Sequence, residues 1–326
     1  MLAASLSSLT ESTHIRKVDI TRDLDTIADL IEMCFPIHLD RDGQIYLMQM
    51  RKTAREMRIM GWLSTLSELG GSGVSGFVWE EEGQIVGNLS LIPFTQSGKR
   101  FHMIANVAVH PDNRRQGIAR ALTERALGYL RRCYEPYVWL QVRDDNPAAC
   151  GLYRSAGFVD QAVRTTWRIR PFEMCWKDQA KHASIVIRRR QSADWGNQQD
   201  WLQTCYPLLI RWNLLVDFKR FEPGFLRDLL NVMDGMLFRH WSFGEEENLL
   251  GVITWQKTES FTNNIWLAFP EDGDGDLLAP GLRLVLKRLS PRHTLSIDYP
   301  KGLCTNVFTS LGFHQFRTLI WMRCDL

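Results

Sequence analysis

Val107 to Leu122 reads VAVHPDNRRQGIARAL, and this stretch carries three structural signals in sixteen positions. An apolar run from Asn106 to Val109 predicts a strand, and His110-Pro111-Asp112-Asn113 a turn. Ile118, Leu122, Ala126 and Leu130 then recur on one stripe of a helix. The first turn of such a helix carries N–H groups without intrahelical partners at the positive end of the dipole. Gly117 has no side chain to hold a ligand away from that backbone, and Arg114, Arg115 and Arg120 add positive charge. Strand, basic turn and helix start together predict an anion site suited to a phosphate or pyrophosphate.

Downstream, Trp139-Leu140-Gln141-Val142 predicts a buried strand, and Asn146-Pro147 opens a short helix that Gly157 closes. In these residues the chain resembles the GNAT superfamily of N-acetyltransferases. Arg114-x-x-Gly117-x-Ala119 is similar to that family's pyrophosphate loop, (Q/R)-x-x-G-x-(G/A), and Asn146-Pro147-Ala148-Ala149 followed by Leu152-Tyr153-x-x-x-Gly157-Phe158 is similar to its later acyl-CoA segment. Each half is a weak pattern alone; the pair, in this order and about 30 residues apart, is specific.

The resemblance implies an α/β fold, more closely an α+β mixed sheet, mostly antiparallel and flanked by helices. It also implies acetyl-CoA as cosubstrate and a primary amine as acceptor, attacking the thioester directly. Val107, Ala108 and Val109 would offer backbone groups to the pantetheine arm, and one N–H would polarise the thioester carbonyl. Arg114, Arg115, Gln116, Gly117, Ile118, Ala119 and Arg120 would hold the pyrophosphate, with Asn146 and Ala149 against the cofactor arm. Tyr153 would protonate the departing thiolate, a phenol of pKa ~10 being a suitable donor. No Asp or Glu lies between Phe101 and Val109, where many relatives carry a general base. The base is left open: His102 is a candidate, against a packing or edge role for a strand histidine, and His110, the Glu80-Glu81-Glu82 cluster, water or an amine that arrives deprotonated are the others.

The chain also reads as the same plan written twice. Val307-Phe308-Thr309-Ser310-Leu311-Gly312-Phe313 echoes Leu152 to Phe158, and Cys205-Tyr206-Pro207 echoes Cys34-Phe35-Pro36. Ile15 to Val18 and Ile185 to Ile187 open the two halves as strands. The expected division is residues 1–175 as a catalytic acyl-CoA-binding domain and 180–326 as a degenerate copy, structural or substrate-shaping, with a linker near 173–181. The second copy has Glu271-Asp272-Gly273-Asp274-Gly275-Asp276 in place of the arginine loop, which would repel a pyrophosphate, and Phe308 in place of Tyr153. Within the first half, Ile20 to Phe35 and Gln44 to Trp62 predict helices, and Phe77 to Glu80 with Gln84 to Ile92 a hairpin around Glu82-Gly83. Phe101 to Val109 is the expected central strand.

Composition supports this reading. The chain has 326 residues, 45% hydrophobic and 23% charged, with 39 basic against 37 acidic side chains. A net charge of +2 gives no electrostatic case for a nucleic-acid or membrane-surface partner. No apolar run approaches the ~20 residues that span a bilayer. Met1 to Thr13 lacks a basic front end and an apolar core, and reads as a frayed tail and not a signal peptide. Seven scattered cysteines without a CxxC pair predict reduced thiols in the cytoplasm and no metal site. Oligomeric state stays open between monomer and homodimer.

Three motifs are set aside. Gly71-Ser72-Gly73-Val74-Ser75-Gly76 fits G-x-G-x-x-G, but an expected helix precedes it and a strand follows, the reverse of a dinucleotide fold. Asp272-x-Asp274-x-Asp276 opens like a calcium loop, yet Leu277 and Arg283 occupy the positions of the required Gly and Glu. The Trp-rich stretch Trp195 to Trp212 reads as packing. Besides the transferase, two other functions were weighed: a non-catalytic acyl-CoA sensor or scaffold module, and a pure interaction protein.

Overall fold

The computed structural model describes residues 14–35, 41–59, 75–96, 98–171, 185–214, 216–245, 248–271, 273–289 and 292–326. The expected frayed tail and the linker at 173–181 lie outside them, as do Pro36, Gly71 to Val74 and Asp272. The architecture is mixed α/β, mostly antiparallel sheet flanked by helices, and the chain divides into two compact units.

The first unit comprises 1–141, 147–159 and 322–326. Its elements are β1 (Ile15–Lys17), α1 (Ile20–Cys34), α2 (Arg41–Ile59), β2 (Ser75–Glu81), β3 (Gln84–Gln96), β4 (Lys99–Val109), α3 (Ile118–Arg132), β5 (Tyr137–Arg143, to Gln141) and α4 (Pro147–Ser155). Strand order is β1-β2-β3-β4-β5, antiparallel except for the parallel β4–β5 pair. The turn between β2 and β3 has Glu82 at φ 48° and Gly83 at φ 79°. Two left-handed central residues match the twist of a hairpin, hence the Gly. Asp19 caps α1 by accepting the Thr21 N–H at 3.0 Å, and α3 buries the predicted stripe Ile118, Leu122, Ala126 and Leu130. Gly87 lets α3 settle on β3: a Cβ there would stand 2.8 Å from Ile118 Cγ2 and 3.0 Å from Trp79 Cβ.

The second unit comprises 142–146 and 160–321. It holds β6 (Val159–Ile169, from Asp160), β7 (Ile185–Arg189), α5 (Trp195–Cys205), α6 (Leu208–Arg211), α7 (Phe225–Met233), β8 (Leu237–Glu245), β9 (Asn248–Lys257), β10 (Thr262–Ala268), α8 (Gly275–Leu289), β11 (Thr294–Pro300), α9 (Thr305–Ser310) and most of β12 (His314–Asp325). Its strand order is β12-β6-β11-β10-β9-β8-β7. Among the described residues the strands and helices from β7 to β12 follow the order of those from β1 to β6, except that three helices (α5, α6 and α7) precede β8 where two (α1 and α2) precede β2. Local details repeat with it. Gly157 and Gly312 close α4 and α9 at φ 94° and 88°. The next residue's N–H returns to the residue five positions back in both, Phe158 to Tyr153 O at 3.0 Å and Phe313 to Phe308 O at 2.9 Å.

One grouping was not foreseen. β6 follows α4 in the chain yet pairs antiparallel with β11 from Leu295↔Ile169 to Pro300↔Arg164, and Trp167 and Ile169 are buried in the second unit's core. The last five residues group with the first unit, where the Leu326 N–H donates to Pro136 O at 3.2 Å.

Candidate active site

Two irregularities in β4 create an opening. Its parallel pairing with β5 runs from His102↔Val138 to Ile104↔Leu140 and stops, so among the described residues Ala105 to Val109 pair with no strand on that edge. On the other edge the register with β3 shifts between Asn88↔Ala108 and Ser90↔Ala105. Two residues, Asn106 and Val107, therefore oppose Leu89 alone, which is a β-bulge. Asn106 takes the left-handed conformation at φ 52°, tolerated by Asn because its short amide finds local partners. Its carbonyl accepts from Asn88 Nδ2 at 2.8 Å, and its own Nδ2 donates to Tyr46 Oη at 2.7 Å. Asn88 is fully buried, with Oδ1 unpartnered. A bulge supplies main-chain groups that the ladder has released.

The turn after β4 is pinned at several points. The His110 N–H donates to Val86 O at 2.8 Å, and Asn113 Nδ2 donates to Glu81 Oε2 at 2.9 Å. Arg114 folds back, its Nε donating to Val109 O at 3.2 Å, a carbonyl that Cys34 Sγ also approaches at 3.3 Å. Arg114 to Gly117 are exposed. Arg115 is left-handed at φ 67° and makes no hydrogen bond or ion pair among the described residues. Gly117 is left-handed at φ 84° and caps α3 without a side-chain bond, so the first N–H groups of the helix stay open. Nothing lies within 4 Å of where its Cβ would be; the glycine is required by backbone conformation and not by space.

From the first turn of α3, Arg120 Nη2 donates to Ser155 Oγ at 2.9 Å, tying this turn to the end of α4. Tyr153 sits in α4, 7% exposed, with its ring edge-on to Phe158 at 5.9 Å. No hydrogen bond to its hydroxyl is found among the described residues. Burial, with a smaller contribution from Cys150, pushes its phenol well above the ordinary value. Ala149 is half-buried on the same helix, and Asn146 is exposed in the turn before it, its N–H donating to Arg143 O at 3.2 Å.

His102 is not brought to the opening. It lies where β4 and β5 are still paired, 6% exposed, and its Nδ1 donates to buried Glu135 Oε1 at 2.6 Å. His102 is thus enclosed with Glu135, away from the unpaired end of β4. Glu80 and Glu81 are likewise committed, to Arg16 and to Asn113. His110 Nδ1 accepts from the Asp112 N–H at 3.4 Å, within the turn. Sequence reasoning missed Tyr46, Asn88 and Asn106. The available signal was asparagine inside predicted strands, where it is depleted.

The second unit handles the matching positions differently. β10 pairs with β9 in unbroken register from Asn264↔Gln256 to Ala268↔Val252, without a bulge. The Leu267 N–H already donates to buried Tyr206 Oη at 3.5 Å. A cavity of about 240 Å³ between the ends of β10 and β11 is lined by Cys205, Phe269, Glu271, Tyr299 and Cys304 among others. Glu271 is the one acidic side chain among its described lining residues.

Residues 27–158 match the acetyltransferase (GNAT) family model. The [ribosomal protein bS18]-alanine N-acetyltransferase of Escherichia coli K12 is 36% identical over 81 residues, 25% of this chain and 55% of that protein. Mycothiol acetyltransferase of Kocuria rhizophila is 28% identical over 163 residues, 49% of this chain and 50% of that protein. The matches thus span about half the length of these curated relatives. A GCN5-related N-acetyltransferase from Sphaerobacter thermophilus superposes with a TM-score of 0.54 over 96% of both chains at 14% identity, a likeness of fold.

Proposed function

The chain carries a GNAT acetyltransferase domain, and on that premise we propose that its first unit transfers an acetyl group from acetyl-CoA to a primary amine by direct attack. One observation carries this reading: a bulged, open strand edge leads straight into an uncapped, arginine-flanked helix start, itself tied to the helix that buries Tyr153. The residues fit the cosubstrate. Open N–H groups at Gly117 to Arg120 and the exposed Arg114 and Arg115 suit a pyrophosphate. The edge from Ala105 to Val109 suits an amide-bearing arm that adds to it like a strand.

When bound, acetyl-CoA supplies the activated acyl group. A main-chain N–H at the bulge takes the carbonyl's developing charge. Tyr153 holds its proton at neutral pH, because burial keeps the phenol neutral, and delivers it to the departing sulfur as the C–S bond breaks. With His102 enclosed, the ammonium proton leaves through water. The second unit, with its unbroken strand, acidic loop and Phe308 in place of Tyr153, is assigned no turnover of its own. Among the described residues no disulfide joins the cysteines, and no helix is long and apolar enough to cross a membrane.

Isothermal titration of acetyl-CoA into the wild type and the Arg114→Glu/Arg115→Glu variant tests the site, followed by transfer to a panel of amines. The panel starts with an alanine-initiated peptide, the acceptor type named for the E. coli relative, and includes glucosamine and spermidine. Binding lost in the variant together with transfer supports the reading. Binding without transfer turns it into that of an acyl-CoA sensor, and no binding overturns both.

A further inference from the structure

Resting on that reading, we propose that Tyr46 receives the acceptor amine, and that Asn106 positions its hydroxyl to do so. The two residues come from different elements, α2 and β4, and meet through Asn106 Nδ2 and Tyr46 Oη at 2.7 Å. Asn106 lies two residues past Ile104↔Leu140, the last pair before β4 and β5 part, so the bond stands at the entrance of the opening. The bond has a direction. An amide NH2 can only donate, so the phenol oxygen accepts and its own O–H is left over. No other hydrogen bond of Tyr46 is found among the described residues, and its side chain is 38% exposed. The hydroxyl therefore has one lone-pair direction and one proton to offer an incoming group.

The support behind this bond is buried. Asn88 Nδ2 fixes the Asn106 carbonyl at 2.8 Å, and Ser90 Oγ lies 3.3 Å from Asn88 Nδ2 and 3.5 Å from Asn106 Nδ2. Placing two asparagines and a serine in the interior of a sheet costs free energy that apolar residues would not, and strand propensity opposes them. Their combined effect is to hold one amide in a left-handed kink with its N–H aimed at Tyr46. A bond meant only to fasten α2 to β4 needs no such kink, and leaves no reason for a half-exposed hydroxyl with a spare donor.

The chemistry matches a primary amine. As an ammonium it donates three N–H bonds; one finds the phenol lone pair, which orients the nitrogen toward the acyl carbon at the bulge beside it. The phenol proton is then free to donate to a carbonyl or hydroxyl adjoining the amine, as in an N-terminal residue or an amino sugar. Tyr46 is thus an acceptor-binding residue, and Asn106 a positioning residue that acts through it.

The test is a double-mutant cycle on kcat/KM for the best amine of the panel above. Tyr46→Phe keeps the ring and removes the hydroxyl; Asn106→Gly keeps the left-handed backbone and removes the amide. Acetyl-CoA Kd and the thermal midpoint are measured for each. We expect each single variant to lose about tenfold in kcat/KM, through KM for the amine, with acetyl-CoA Kd unchanged, as for the loss of one hydrogen bond. The double variant should be no worse than the poorer single one. Full kcat/KM in Tyr46→Phe, additive losses, or a loss that follows the thermal midpoint overturns the proposal and leaves the transferase reading intact. Acetyl-CoA binding with no transfer to any amine overturns both.

Discussion

Tyr153 shows how one residue's surroundings set its chemistry. A solvent-exposed phenol would also be protonated at neutral pH, but its proton would be shared with bulk water. Tyr153 is buried in α4 with no hydrogen bond to its hydroxyl found among the described residues, and in the proposed mechanism it would give that proton to the departing thiolate. Tyr153→Phe is therefore expected to lower kcat by on the order of 10²-fold with acetyl-CoA affinity retained, as single-turnover kinetics beside calorimetry would show. A variant with full kcat would remove Tyr153 from the mechanism. Gly117 tests the other end of the site. An alanine there meets no atom within 4 Å, so its cost is conformational, about 1–2 kcal/mol for a left-handed non-glycine residue. Gly117→Ala should relieve that strain by distorting the first turn of α3, weakening acetyl-CoA roughly tenfold at nearly unchanged stability. The Kd and a thermal melt, measured together, decide it.

Among elements, the contact between α3 and β3 holds the anion turn in place. Gly87→Ala puts a Cβ 2.8 Å from Ile118 Cγ2, one residue past the Gly117 cap, so the helix start must move. Overpacking of this kind costs about 1–3 kcal/mol. In contrast to Gly117→Ala, we expect a lower thermal midpoint and weaker acetyl-CoA binding together. Unchanged values of both would show that α3 is not held by this contact. Gly87 was silent in the sequence, whereas α3 itself was plain. Ile118, Leu122, Ala126 and Leu130 declare a helix by spacing, and Glu82-Gly83 declares a hairpin, because each signal lies within a few residues of its partner. The β4 bulge and the parting of β4 from β5 are non-local: they depend on which strand pairs with which, and in what register. Asn88 and Asn106 are the traces they leave in the chain. His102 misled for the same reason, since its partner Glu135 is 33 residues away and a strand histidine looks alike whether enclosed or facing a site.

For the whole molecule, the duplication reaches into its ion pairs. Arg16 with Asp23 at 2.5 Å and Arg188 with Asp194 at 2.6 Å join the opening strand of each half to the helical turn that follows it. Burial raises the Asp194 carboxyl, but bonds from Arg188, Ser242 and the Gln191 N–H outweigh it and hold the group down at about 2; Asp23 is lowered in the same sense. A folded pKa below the unfolded ~3.9 gives stability that is present above about pH 4 and lost as the pH falls through 2. For Asp194 this is on the order of 1–2 kcal/mol, reduced from the full linkage value because Arg188 is partly exposed and screened. Denaturant titrations at pH 5 and pH 2.5 should show that difference shrinking in Asp194→Asn; an equal acid loss in the variant would count against it.

The grouping of β6 has the larger consequence. β6 and β12 are the last strands of two similar halves, and their sequences give no sign of which unit each joins. Trp167 and Ile169 of β6 are buried in the second unit's core, while Met322–Leu326 complete the first unit. A fragment ending at residue 175 therefore exposes two large apolar side chains, at about 1.5–3 kcal/mol each, and lacks the chain that bonds to Pro136. Against typical domain stabilities of about 5–15 kcal/mol, a loss of about 3–6 kcal/mol takes a large share and reaches the whole of the lower end. We expect fragment 1–175 to show no cooperative melt and no acetyl-CoA binding, and co-expression with 176–326 to restore both. A fragment that melts and binds as the intact chain does would mean that β6 pairs within the first half when left alone, and that residues 176–326 are dispensable for its folding.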